Sequence, residues 1–214
     1  MPPDRLRTGI LVFPDVEVLD FCGPFEVFSV TRLDPAKRRE EPSPFDVFLV
    51  AETADPIVTT GGMQVTPRHG FDTCPPLDLL VVPGGFGTRP LLNNPAVIDW
   101  IARQAAGTRL TTSVCTGALL LGKAGLLAGR PATTHRAALG LMQQMFPDVT
   151  VDAGRQVVAS GTVRTSAGIA AGIDMALLVV AELFGEPVAR QTATYMEYPY
   201  PAGDARRVPV EVQS

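Results

Sequence analysis

A chain of 214 residues that is 46% hydrophobic is long enough for one sizeable core and too short for two, so a single domain is expected over residues 1–214. The net charge of −4 is mild and no cluster of Lys and Arg is dense enough to track a phosphate backbone, which argues against nucleic acid as a partner. Cys22, Cys74 and Cys115 are an odd number of cysteines without metal-ligand spacing; a disulfide framework is disfavoured, no metal site is indicated, and a reducing, cytoplasmic setting is expected.

In chain order, "MPPDRLRTGILVFPD" holds a short apolar run closed by Pro and Asp, which suits a buried strand over residues 7–13 better than a secretory signal. "GPFEVFSV", from Gly23, predicts a short helix, and "PAKRREEPSP" (35–44) a polar surface loop leading into the strand "FDVFLVAE". "IVTTGGMQVTP" places Gly61 and Gly62 between β-branched runs and predicts a hairpin at the sheet edge. "LDLLVVPGG" reads as a buried strand stopping at Gly84 and Gly85, "PAVIDWIARQAA" as a helix and "RLTTSV" as the next strand. Helices follow in "TGALLLGKAGLL" and "HRAALGLMQQMF", short strands near "TVDAG" and "QVVAS", then a long helix "GIAAGIDMALLVVAELFG" and a last one, "EPVARQTATYMEY". Residues 199–214 read as a loosely tethered tail after a core of about 7–198. No stretch is long and apolar enough to span a bilayer. Strand-length apolar runs alternating with amphipathic stretches predict an α/β sandwich, a mostly parallel sheet with helices on both faces.

This reading puts Cys115, in "TTSVCTGALLLG" (111–122), where a strand hands over to a helix, on the sheet edge where ligands bind in open α/β folds. Backbone N–H groups and the helix dipole at that end favour a thiolate, so an activated nucleophile is expected. Conventional cysteine chemistries fit poorly. His69 and His135 are the only histidines and neither sits in a His-x-Glu pair, Ser113 stands where a Gly-x-Cys-x-Gly elbow needs glycine, and Leu121 stands where a phosphatase loop needs arginine.

"VEVLDFCGPFEVF", "LDLLVVPGGFGT", "SVCTGALLLGKAGLLAGRPATTH" and "SAGIAAGIDMALLVVAELFG" together resemble the DJ-1/PfpI superfamily and, within it, the isocyanide hydratase branch. The resemblance spans about residues 7–198. It implies a flavodoxin-like sandwich, a homodimer, a small-molecule substrate, no metal, no cofactor, and a nucleophilic Cys115 on a strained elbow. It further implies that Thr116 is the threonine following the cysteine in hydratases, whereas peptidases of the superfamily have histidine there. Asp20 matches an acid facing the cysteine, a glutamate in the DJ-1 branch. Gly84 and Gly85 match a turn whose amides face the sulfur, Gly168 and Ile169 a loop closing the pocket, and His135 a histidine near the site.

Each of these residues also has a plainer reading. Asp20 also suits capping a helix, though an acid that keeps or donates a proton beside the sulfur fits it better, Thr116 is equally suited to filling a first turn, and Gly84 and Gly85 also suit a tight turn. Gly168 and Gly172 suit close helix packing, and His135 suits packing or capping better than base catalysis. Tyr195, Tyr198 and Tyr200 suit either a pocket wall or a dimer seam. "LDFCGPFEVF" is also similar to the ligand-binding sensor domain of AraC-type regulators, in which a helix-turn-helix region follows the sensor; here only a short tail follows. A DJ-1-like glyoxalase or redox-protective role uses the same cysteine.

Overall fold

The computed structural model describes residues 5–200, so most of the 199–214 tail lies outside the described residues. The chain opens with β1 (Leu6–Leu11), α1 (Val18–Val30) and β2 (Phe45–Ala51), followed by the short strands β3 (Ile57–Val58), β4 (Gln64–Val65) and β5 (His69–Gly70). Then come β6 (Leu79–Val82), α2 (Thr88–Leu91), α3 (Pro95–Ala105), β7 (Leu110–Val114) and α4 (Gly117–Lys123). The last stretch runs β8 (Pro131–Ala132), α5 (Leu139–Met145), β9 (Thr150–Val151), β10 (Val157–Ser160), β11 (Val163–Ser166), α6 (Ala171–Phe184) and α7 (Glu186–Tyr195).

Seven strands form one sheet in the order β10-β11-β7-β6-β1-β2-β5, parallel throughout except for the β10–β11 pair. All four residues of β6 and all five of β7 are buried, as strands covered on both faces must be. Helices α1, α6 and α7 pack together on one face, and α2, α3 and α4 on the other. This is the flavodoxin-like arrangement expected. Each fully buried aliphatic side chain, such as Ile10, Leu80 or Leu120, contributes about 1.5–3 kcal/mol of transfer free energy. The order reverses at β1, which feeds β2 on one side while β6, β7 and β11 build outward on the other. Such a reversal opens a crevice beyond the strand C-termini; the loops after β1, β6, β7 and β11 all emerge there.

Several elements differ from expectation for identifiable reasons. α1 starts five residues before Gly23, and Pro24 is carried inside it. The Gly61-Gly62 hairpin exists, both glycines having positive φ, but β3 and β4 form their own two-stranded sheet, and the main sheet's edge is β5. α4 stops at Lys123 rather than running to Leu127. Gly125 takes φ +77° and the Leu126 N–H bonds back to the Leu121 carbonyl (3.0 Å), a left-handed terminator that satisfies the last carbonyls. The stretch 135–146 begins as a 3-10 turn before α5, and β11 is a strand absent from the sequence reading.

Candidate active site

Cys115 follows β7 directly, and its φ of +56° lies in the left-handed region, which costs a non-glycine residue roughly 1–3 kcal/mol. Neighbouring elements hold it there. Its N–H reaches the Ser166 and Ala167 carbonyls (3.2 and 3.3 Å) at the end of β11, and its carbonyl accepts the Thr134 hydroxyl (2.7 Å). The strained elbow is therefore present, and it turns the thiol away from the strand towards the loops after β1 and β6.

Asp20 sits in the first turn of α1, fully buried, with Glu17 at the N-cap position. It does not cap its own helix. Its Oδ2 accepts the N–H of Gly84 (2.9 Å), while the Gly84 carbonyl accepts the Glu17 N–H (2.9 Å) and Val16 bridges to Gly85. Its Oδ1 has no partner at hydrogen-bonding geometry among the described residues, although the carboxyl interacts with the Cys115 thiol. Thr116 does more than fill a helical turn: its hydroxyl accepts the Gly85 N–H (3.1 Å) and the Thr88 hydroxyl (3.2 Å), tying the elbow to the loop after β6. These bonds correct one expectation. The Gly84 and Gly85 amides are engaged by Asp20 and Thr116, so they position the acid and the elbow, and the backbone donor acting on the sulfur is the Thr116 N–H.

The thiolate expectation is also corrected. Burial, seconded by the Asp20 charge, pushes the Cys115 thiol up to about 12, against the opposing pull of the Thr116 N–H and hydroxyl. A helix terminus supplies about 0.3–1 kcal/mol, while the net rise from 9.0 to about 12, with burial as its largest cause, makes ionisation costlier by roughly 4 kcal/mol. Desolvation wins. Burial likewise lifts Asp20 to about 7; the Gly84 N–H opposes the rise, Glu17 adds to it and the Cys115 thiol opposes it. Between those values the pair holds one proton and one negative charge. The nucleophile is then made by moving the shared proton from sulfur to Asp20, not by prior ionisation.

A cavity of about 300 Å³ opens over the sulfur. Of the residues expected at the site, Cys115, Thr116, Gly85, Ile169 and His135 line it; Asp20, Gly84 and Gly168 are not part of its lining. Gly168 does not serve helix packing. A Cβ there would lie 2.9 Å from the Cys115 Sγ and 2.4 Å from the His135 ring, so only glycine lets this loop close on the sulfur. Gly172 does serve helix packing, against Val114 and Pro24. His135 caps the 3-10 turn, its Nδ1 accepting the Ala137 N–H (3.2 Å). Cys22 and Cys74 line no part of the cavity, and neither do the three tyrosines. Tyr198 donates to the buried Asp174 (2.9 Å), and Tyr195 and Tyr200 lie under Arg38 and Arg190.

Glu17, Phe86, Arg89 and Ala137 complete the lining and were missed by sequence reasoning. Glu17 had one available signal, since it stands three residues before Asp20, at the N-cap of the same helix. Phe86, 66% exposed, lies 5.2 Å from the Arg89 guanidinium at the rim. Among the described residues no group of His, Cys, Asp and Glu is arranged to hold a metal ion, and no helix is long and apolar enough to cross a membrane.

The description DJ-1/PfpI family matches residues 7–182. An isonitrile hydratase of Pseudomonas putida is 37% identical over 211 residues, covering 97% of this chain and 86% of that protein. The HTH-type transcriptional regulator GbdR of Pseudomonas aeruginosa is 34% identical over 128 residues, 60% of this chain and 34% of the regulator. Among solved structures, a ThiJ/PfpI family protein from Pseudomonas syringae superposes with a TM-score of 0.79 at 31% identity, over 93% of this chain and 78% of that one.

Proposed function

The chain belongs to the DJ-1/PfpI family, and from that premise we propose that it is a cysteine-dependent hydratase converting an isocyanide to an N-substituted formamide. The observation that carries this reading is the coupled Cys115–Asp20 pair at the elbow, a buried thiol and a buried acid sharing one proton at the head of a cavity. Its 37% identity with the Pseudomonas putida isonitrile hydratase, over 97% of this chain, supports it.

An isocyanide carries an electrophilic terminal carbon whose lone pair also accepts a proton. The Cys115 proton passes to Asp20, the sulfur attacks that carbon, and Asp20 protonates the same carbon, giving a thioimidate, R–N=CH–S–Cys115. Water then adds to the carbon, the C–S bond breaks, the thiol regains its proton and R–NH–CHO leaves. The Thr116 N–H stabilises sulfur as it gains negative charge. The chemistry balances with water alone, without a metal or organic cofactor. A homodimer is part of the same proposal.

The test is turnover of p-nitrophenyl isocyanide followed by chromatography of the formamide. The expected result is product with the unaltered protein, none with Cys115→Ala, and a loss of about 100-fold or more with Asp20→Asn. Full activity in either variant overturns the assignment. The GbdR similarity supports a second reading, a ligand-binding domain without chemistry, which requires thermal stabilisation by the isocyanide with no formamide released. Turnover of methylglyoxal in place of isocyanide favours the glyoxalase alternative.

A further inference from the structure

We propose that Glu17 is the general base of the second half-reaction, taking a proton from the water that attacks the thioimidate. This assignment rests on the isocyanide reading above and deepens it.

Water must reach the thioimidate carbon from the open side of the cavity, and Asp20 is not there: it is fully buried, absent from the lining, and has Oδ2 occupied by the Gly84 N–H. Among the lining side chains, Arg89 is a cation and accepts no proton. His135 accepts the Ala137 N–H at Nδ1, so in its neutral form the other nitrogen carries hydrogen and does not act as a base. The Thr116 hydroxyl accepts from Gly85 and Thr88. Glu17 remains. Among the described residues it is the only carboxylate in the lining and forms no ion pair, and it is half-buried. Its backbone is held by the bond from its N–H to the Gly84 carbonyl (2.9 Å), so it is anchored to the loop that anchors Asp20.

The two carboxylates thus divide the work by depth, the sealed one exchanging its proton with sulfur and carbon, the cavity one with water. In the second step the water oxygen bonds to the thioimidate carbon, the C=N π pair moves to nitrogen, and the water proton passes to Glu17. Glu17 returns it to nitrogen. The C–S bond then breaks as the remaining hydroxyl proton moves to sulfur, leaving formamide and thiol.

Rapid-quench intact-mass spectrometry with p-nitrophenyl isocyanide reads both steps separately. In Glu17→Gln the Cys115 adduct is expected to form at near the unaltered rate, accumulate to about one per chain, and decay about 100-fold or more slowly; Glu17→Asp is expected to recover part of that loss. Asp20→Asn is expected to lose adduct formation itself. An adduct in Glu17→Gln that decays at the unaltered rate overturns the proposal, including the case where only the pH profile moves, which marks a purely electrostatic role. Adduct formation in that variant also certifies a folded site. If the unaltered protein releases no formamide and forms no adduct at Cys115, the isocyanide reading fails and the role of Glu17 falls with it.

Discussion

Gly84 donates its backbone N–H to Oδ2 of Asp20 over 2.9 Å, joining residues 64 apart in sequence. A loop glycine thereby orients a buried acid, and a Cβ on Gly84 would stand 2.6 Å from the Thr116 N and Oγ1 and 2.9 Å from that same Oδ2. Gly84→Ala is expected to lose about 1–3 kcal/mol of stability by overpacking, and most of its activity because Asp20 and the elbow are pushed apart. Thermal unfolding together with isocyanide turnover checks both effects.

Asp20 makes stability depend on pH in a defined direction. Its carboxyl is raised from 3.8 to about 7, so the folded state binds the proton more tightly than the unfolded one. That contribution is complete below pH 4 and is lost as pH rises through 7, up to roughly 4 kcal/mol. Asp20→Asn is expected to flatten this part of the curve. Denaturant midpoints at pH 4, 5.5 and 8 measure it, and a slope equal in the two proteins would contradict the burial argument.

Adduct formation is expected to rise with pH through about 7, as the pair becomes singly charged, and to fall only near 12. Glu17 lifts Asp20 electrostatically, so Glu17→Gln is expected to move the lower limb of that profile to lower pH. Single-turnover rates across the pH range provide the check.

At pH 7 the Cys115 sulfur is expected to be a thiol. The difference in thiolate ultraviolet absorbance between the protein and Cys115→Ala should be near zero at neutrality and appear only in strong alkali. A full thiolate signal at pH 7 would mean that the helix terminus outweighs desolvation after all.

Gly168→Ala places a methyl 2.9 Å from Sγ. The expected outcome is at least a 10-fold slower adduct formation with a folded chain. Adding His135→Ala removes the 2.4 Å contact and should restore stability more than rate, because the sulfur remains obstructed.

The sheet was legible because its central strands are sealed on both faces, so "LLVV" within "LDLLVV" and "LTTSV" within "RLTTSV" are continuous buried runs. β9 was legible as the short strand near "TVDAG", but β5 and β8, two residues each, fall below any periodicity, and β11, Val-Arg-Thr-Ser, reads as loop. Cys115 was legible from its place between strand and helix. Its protonation was not, since the balance between a helix terminus and desolvation depends on how deeply the sulfur lies. Glu17 left only its spacing from Asp20 as a signal, and Phe86 and Arg89 escaped notice because what brings their loop to the site is the antiparallel bridge between Val16 and Gly85, a pairing of distant loops that leaves no mark on local pattern.

The parts around the sulfur arrive from the loops following four different strands, with Asp20 near the beginning of the fold and Gly168 beside β11 near its end. Such a site closes only after the longest-range contacts of the chain have formed. A nascent or partly refolded molecule therefore holds an ordinary, unassisted cysteine, and regain of turnover during refolding should trail the return of helical signal, serving as a clock for the final docking of α6.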